Sequence, residues 1–181
     1  MMKKILSLLL CAVLLLACAA ASAQEETVVD ISGRFQIKGI LPDGYQLSIL
    51  SQDALALEGE IKSADPAAPV MQLYVSFNET YEAKNTLNDL TGAELDTVRQ
   101  TFLEEDVVEF SQMDTASGIP LLVVKESQET PDFLDFYTVF RGHEIELWLS
   151  KPIGAADPSL SEAQIAAWTE FVKTLEFVSL Q

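Results

Sequence analysis

Both cysteines of this chain, Cys11 and Cys18, fall near its amino terminus, so the remainder must fold without a disulfide or a thiolate-bound metal. A hydrophobic core has to hold the rest together alone. The roughly 155 residues that follow are enough, because a domain of about 150 residues buries about two-thirds of its unfolded surface. The segment that carries the cysteines differs from everything after it. Met1-Met2-Lys3-Lys4 is basic, Ile5 to Ala17 is an apolar run rich in Leu, and Ala21-Ser22-Ala23 is a small-x-small cleavage site. That order is an export signal of the bacterial kind. It divides the chain into a signal peptide at 1–23, a flexible lead-in at 24–32 and a single domain at 33–181.

Three fates of this segment are open. Cleavage after Ala23 leaves Gln24 as the new terminus of a secreted protein. Leu15-Leu16-Ala17-Cys18 resembles a permissive lipobox, and acylation of Cys18 makes a lipoprotein held on the extracytoplasmic face of the envelope. An uncleaved Ile5 to Ala23 is uncharged and close to the roughly 20 residues that span a bilayer. Apart from a lipid on Cys18 or an uncleaved signal, no membrane contact is expected.

All 28 acidic residues lie after Gln24, while Lys3 and Lys4 leave with the signal, so the exported product is more acidic than the whole-chain charge of −17. Such a surface repels phosphate backbones and excludes nucleic acid as a natural partner. It favours cations or basic protein surfaces, and it also keeps a lone domain soluble as a monomer.

Along the domain the hydrophobic period changes twice. Phe35-Gln36-Ile37, Leu47 to Leu50, Ala54 to Ile61 and Val70 to Phe77 read as strands. Two turn clusters, Leu41-Pro42-Asp43-Gly44-Tyr45 and Asp65-Pro66-Ala67-Ala68-Pro69, separate them. Leu87, Leu90, Leu95, Val98 and Phe102 then approximate helical spacing. Thr91-Gly92-Ala93-Glu94 is a capping box, which predicts a helix from Thr91 to Glu105. Leu121-Leu122-Val123-Val124 predicts a central strand buried on both faces. Phe133 to Arg141 and Glu144 to Ser150 predict a hairpin turning at Gly142-His143. Ser159-Leu160-Ser161-Glu162 reads as a second capping box, ahead of an apolar stripe at Ile165, Trp168, Phe171, Val172 and Leu175. A final extended segment covers Glu176 to Val178. The expected class is α+β, an antiparallel sheet with one main helix on each face in an α/β/α sandwich.

This succession resembles the Mog1/PsbP-like fold. The resemblance rests on the turn Pro42-Asp43-Gly44-Tyr45 after a short strand and on the mid-chain helix. It rests also on the aromatic hairpin Phe136-Tyr137-Thr138-Val139-Phe140-Arg141-Gly142-His143, and on a C-terminal helix running into a strand over Phe171 to Val178. That family includes photosystem accessory subunits, a nuclear-transport GTPase partner and bacterial envelope lipoproteins. The resemblance implies a non-catalytic accessory or binding role; the expected partner is another envelope or extracellular component, a protein among the candidates, and no cofactor is expected.

The residues themselves supply no catalytic constellation. His143 is the single histidine, placed by the expected turn in an exposed position. No Ser sits in a nucleophile elbow, and the glycines are scattered singly rather than gathered in a phosphate loop. The densest acidic run is Glu104, Glu105, Asp106 and Glu109, a candidate divalent-cation site or a solvated patch. Asn78-Glu79-Thr80 matches a glycosylation sequon. On the strand from Glu144 to Ser150, Glu144, Glu146 and Trp148 share one face opposite Ile145, Leu147 and Leu149. A Trp beside two carboxylates forms a shelf for a cationic or sugar-like ligand. The alternative is a Trp packed under a helix, with both Glu at the open end of the strand.

Overall fold

The computed structural model describes residues 25–103, 108–126 and 131–180. Ten strands and two α-helices build it. The strands are β1 (Thr27–Ile31), β2 (Phe35–Gly39), β3 (Tyr45–Gln52), β4 (Ala56–Ser63), β5 (Val70–Phe77), β6 (Val108–Asp114), β7 (Pro120–Glu126), β8 (Phe133–Phe140), β9 (His143–Ser150) and β10 (Glu176–Ser179). The helices are α1 (Gly92–Phe102) and α2 (Glu162–Lys173), with two 3-10 turns at Glu79–Tyr81 and Leu87–Asp89 ahead of α1. A seven-stranded antiparallel sheet runs β3-β4-β5-β9-β8-β7-β6, and a three-stranded one runs β1-β2-β10.

The alternation of the strands sorts the apolar residues into two cores. On one face Leu57, Met71, Leu73, Ile145, Leu147, Leu134 and Phe136 pack beneath α2 (Trp168, Phe171, Val172) and the small sheet (Phe35, Ile37, Phe177). On the other face Leu122, Val124, Tyr137 and Val139 meet Tyr81, Leu87 and Val98, from the 3-10 turns and α1. The chain is therefore α+β with its helices on opposite faces of the main sheet, as the sequence predicts. β8 lies between the two cores and is buried at every position.

Local chemistry explains the helix boundaries. The Thr91 side chain accepts from the Glu94 N–H, and Glu94 reaches back to the Thr91 N–H at 2.6 Å, so the capping box forms as predicted. That N–H and the Lys84 ammonium, 2.9 Å away, hold the Glu94 carboxyl down at about 2. The second box is shifted. Ser161, not Ser159, caps α2, and Gln164 returns its side chain to the Ser161 N–H at 2.9 Å. Ser159 instead donates to Asp132 at 3.0 Å.

Three other expectations are corrected, and one strand is added. The segment expected as a flexible lead-in at 24–32 contributes β1, because Val29 and Ile31 alternate into the core and Thr27–Ile31 finds a partner in β2. The predicted central strand is β7, second from the edge, while β9 occupies the centre of the sheet. Its two-sided burial is real, with Leu121 facing one core and Leu122 the other. β6 carries no sequence prediction; it is the edge strand beyond β7, with Val108 and Phe110 packed inward. The hairpin turns at Arg141-Gly142, both with positive φ (51° and 78°), so His143 begins β9. Adding a Cβ to Gly142 would bring it to 3.1 Å from the Glu82 Cα, so both conformation and space require glycine there.

Candidate functional site

α1 and the 3-10 turns cover the outer face of β8, β7 and β6 but not that of β4 and β5. Glu58 on β4 and Tyr74 and Ser76 on β5 are exposed on the uncovered part. At the boundary between the two halves, beside the C-terminal end of α1, lies a cavity of about 400 Å³. Tyr74, Ser76, Thr101, Phe102, Phe133, Tyr137, Glu144, Glu146 and Trp148 line it. Glu144, Glu146 and Trp148, which the sequence places on one face of a strand, form one wall of it.

The register fixes how these groups meet. Glu146 on β9 lies directly between Tyr74 on β5 and Tyr137 on β8. Glu144 lies between Ser76 and Val139, and Trp148 between Gln72 and Asp135. Cross-strand neighbours on one face sit within reach of long side chains, both directly and on the diagonal. Glu144 is thereby fixed at both oxygens. Tyr137 donates to Oε1 at 2.7 Å along the diagonal, and the Asn78 amide donates to Oε2 at 2.8 Å. The amide of the sequon is thus engaged within the protein. Trp148 stacks flat on Phe133, with centroids 4.5 Å apart and planes 16° apart, and packs against the outer core while staying partly exposed.

Beneath this wall lies a residue that the sequence reading missed. Asp135 is 0% exposed, and among the described residues neither carboxyl oxygen accepts a hydrogen bond that meets full geometry from an N–H or hydroxyl. The Phe136 N–H and the Glu146 carboxyl both lie close enough to act on it, and a proton that Asp135 retains is shared with Glu146. Burial and then the neighbouring Glu146 charge push the Asp135 carboxyl well above the ordinary carboxylate range. Burial also raises Glu146, with Glu144 adding to the rise and Asp135 opposing it. Tyr137 is pushed up by burial and by its bond to Glu144, so it stays a neutral donor. Tyr74 is raised by burial and by Glu58 and Glu146 on either side. β8 offers an internal contrast, because its other buried polar residue, Thr138, donates to the Pro120 carbonyl at 2.7 Å. The available signal for Asp135 was a lone carboxylate inside the apolar run Phe133 to Phe140.

Other sequence candidates are not brought to this site. His143 is 1% exposed rather than at an open turn, with its ring edge-on to Phe35 (5.3 Å) and Phe77 (5.4 Å) and Nδ1 3.0 Å from the Arg141 carbonyl. Burial lowers its pKa, the Arg141 carbonyl opposing and Arg34 assisting. Glu109 lies on β6 and pairs with Lys125 at 3.2 Å. Glu104, Glu105, Asp106 and Cys18, with the whole signal segment, lie outside the described residues. Among the described residues no three His, Cys, Asp or Glu side chains converge on a metal position. No described helix is long and apolar enough to cross a membrane.

No family model matches the chain, and no curated protein matches it. Among solved structures it is similar to cyanobacterial PsbP (CyanoP) from Synechocystis sp. PCC 6803, known from a solution structure. The two are 12% identical over 87% of this chain and 95% of that one, with a TM-score of 0.49. The likeness is one of fold alone.

Proposed function

We propose that this protein is an exported, non-catalytic accessory domain that binds another protein of the envelope or extracellular space. The observation that carries the reading is the uncovered half of the outer sheet face. That part of the face carries no helix, and its residues are those of a contact surface. Tyr74 and Trp148 are amphipathic aromatics, and they stand among Glu58, Glu144 and Glu146. Aromatic residues dominate the energetics of interfaces, and clustered charge of one sign selects a partner of the other. The chain's net charge of −17 extends the same preference over the whole surface. A basic surface on the partner is the complement.

Photocrosslinking tests this in intact cells. A photoreactive aromatic residue placed at Tyr74 or Trp148 should give adducts of defined mass, whereas one at Glu170, on the exposed side of α2, should give none. Adducts that form equally at all three positions, or at none, would count against the uncovered face as the contact.

A further inference from the structure

We infer that the cavity beside α1 seats a basic side chain of the protein partner, an ammonium or guanidinium group on its aliphatic stem. This rests on the reading of the uncovered face as a binding surface and assigns its anchor point. The walls are apolar and aromatic (Phe102, Phe133, Trp148), and the charged groups are of a single sign. Glu144, Glu146, Ser76, Thr101 and two tyrosine hydroxyls offer oxygens, and no Lys or Arg lines the cavity. An anion finds no cation there. A sugar needs donors and acceptors in comparable number, and the hydroxyl protons of Thr101, Tyr74 and Tyr137 are already given to Val98, Gln72 and Glu144, which leaves acceptors in excess. A metal ion needs several convergent ligands, and among the described residues no three His, Cys, Asp or Glu side chains converge. A cation carried on a hydrocarbon stem satisfies both features, because the stem lies along aromatic walls and the head meets carboxylates.

Glu144 and Glu146 play different parts. Glu144 is held rigid by Tyr137 and Asn78, and each of its oxygens keeps a lone pair for a further donor. A carboxylate fixed in advance loses little entropy when it accepts another bond. Glu146 sits between two tyrosines with the buried Asp135, whose oxygens accept from no N–H or hydroxyl in full hydrogen-bond geometry, on the neighbouring strand. Buried carboxyl oxygens without a donor are uncommon in native proteins. Here they lie on the face of β8 that bears the cavity, opposite Trp148, where positive charge arriving from outside relieves the local excess of acid. The size agrees as well, since about 400 Å³ lies within the usual range of small-ligand sites and admits one long side chain.

The full-length protein labelled with ¹⁵N shows two indole N–H signals, from Trp148 and from Trp168, which is buried against Tyr45 and serves as internal control. The probes are capped tripeptides with lysine or arginine at the centre, each titrated beside its neutral counterpart, norleucine or citrulline. The inference expects a saturable shift of the Trp148 signal with the basic peptides, at a Kd of roughly 1 mM or tighter. It expects binding at least about tenfold weaker for the neutral ones. Glu146→Gln should weaken the basic peptides by about tenfold, and Glu170→Gln should leave them unchanged. Equal shifts with basic and neutral peptides, no saturation with either, or full binding by Glu146→Gln would each overturn the inference. Thermal unfolding of each variant separates loss of the site from loss of the fold. If the peptides fail while crosslinks at Tyr74 and Trp148 persist, the anchor falls and the accessory role stands.

Discussion

Replacing Asp135 by Asn should make the protein more stable at neutral pH, and by an amount that depends on pH. In the folded state the Asp135 carboxyl is 0% exposed, and burial, with Glu146 beside it, holds its pKa well above the value of about 3.9 that an unfolded Asp shows. Between those two values the unfolded chain releases the proton while the folded one retains it. The folded state therefore binds more protons, and stability falls as pH rises. The slope for one fully coupled proton is about 1.4 kcal/mol per pH unit, beginning near pH 4 and ending where the folded Asp135 ionises. Asn keeps the shape, carries no titrating proton, and offers an N–H toward Glu146. The difference in unfolding free energy between Asp135→Asn and the parent should grow by about 1.4 kcal/mol for each unit across that window. Repulsion within so acidic a protein also grows with pH, but it affects both forms alike and cancels in the difference. Glu146, itself raised, remains in both. Urea unfolding followed by tryptophan fluorescence at a series of pH values measures the difference. A constant offset across pH would refute the reasoning, because Asp135 would then titrate alike in folded and unfolded chains.

Other consequences follow from the same structure. Gly142→Ala should cost about 2 kcal/mol or more, since a left-handed conformation penalises L residues by about 1–2 kcal/mol and the new methyl meets the Glu82 backbone. A thermal midpoint unchanged from the parent would contradict that. His143 titrates oppositely to Asp135. Its folded pKa lies below the unfolded value of about 6.5, so stability is complete above that pH and declines as acid carries the solution toward the folded pKa. His143→Phe should remove that decline from urea titrations, and a persisting one would point to other groups. Protein recovered from outside the cytoplasm should begin at Gln24. A terminus at an acylated Cys18, read by intact mass, would place it instead among lipoproteins.

The amino-acid sequence by itself determined the elements that depend on near neighbours. Period-two runs gave β3, β5 and β9, the stripe from Ile165 to Leu175 gave α2, and the reciprocal bonds of Thr91 and Glu94 started α1. It also placed Glu144, Glu146 and Trp148 together, because alternate residues on a strand share a face whatever lies around them. Tertiary structure decided everything that depends on partners distant in the chain. Thr27–Ile31 is a strand because β2 accepts it, and Val108–Asp114 because β7 does. His143 is buried because Phe35 closes over it from the small sheet. Asp135 is sealed because both faces of β8 are covered, one by α2 and the other by α1 and the 3-10 turns. Backbone geometry decides which residues share a face of one strand, but only long-range pairing decides which faces water can reach. The electrostatics of the cavity depend on that exclusion, so the shared face of Glu144, Glu146 and Trp148 was legible in the sequence and the buried carboxyl behind it was not.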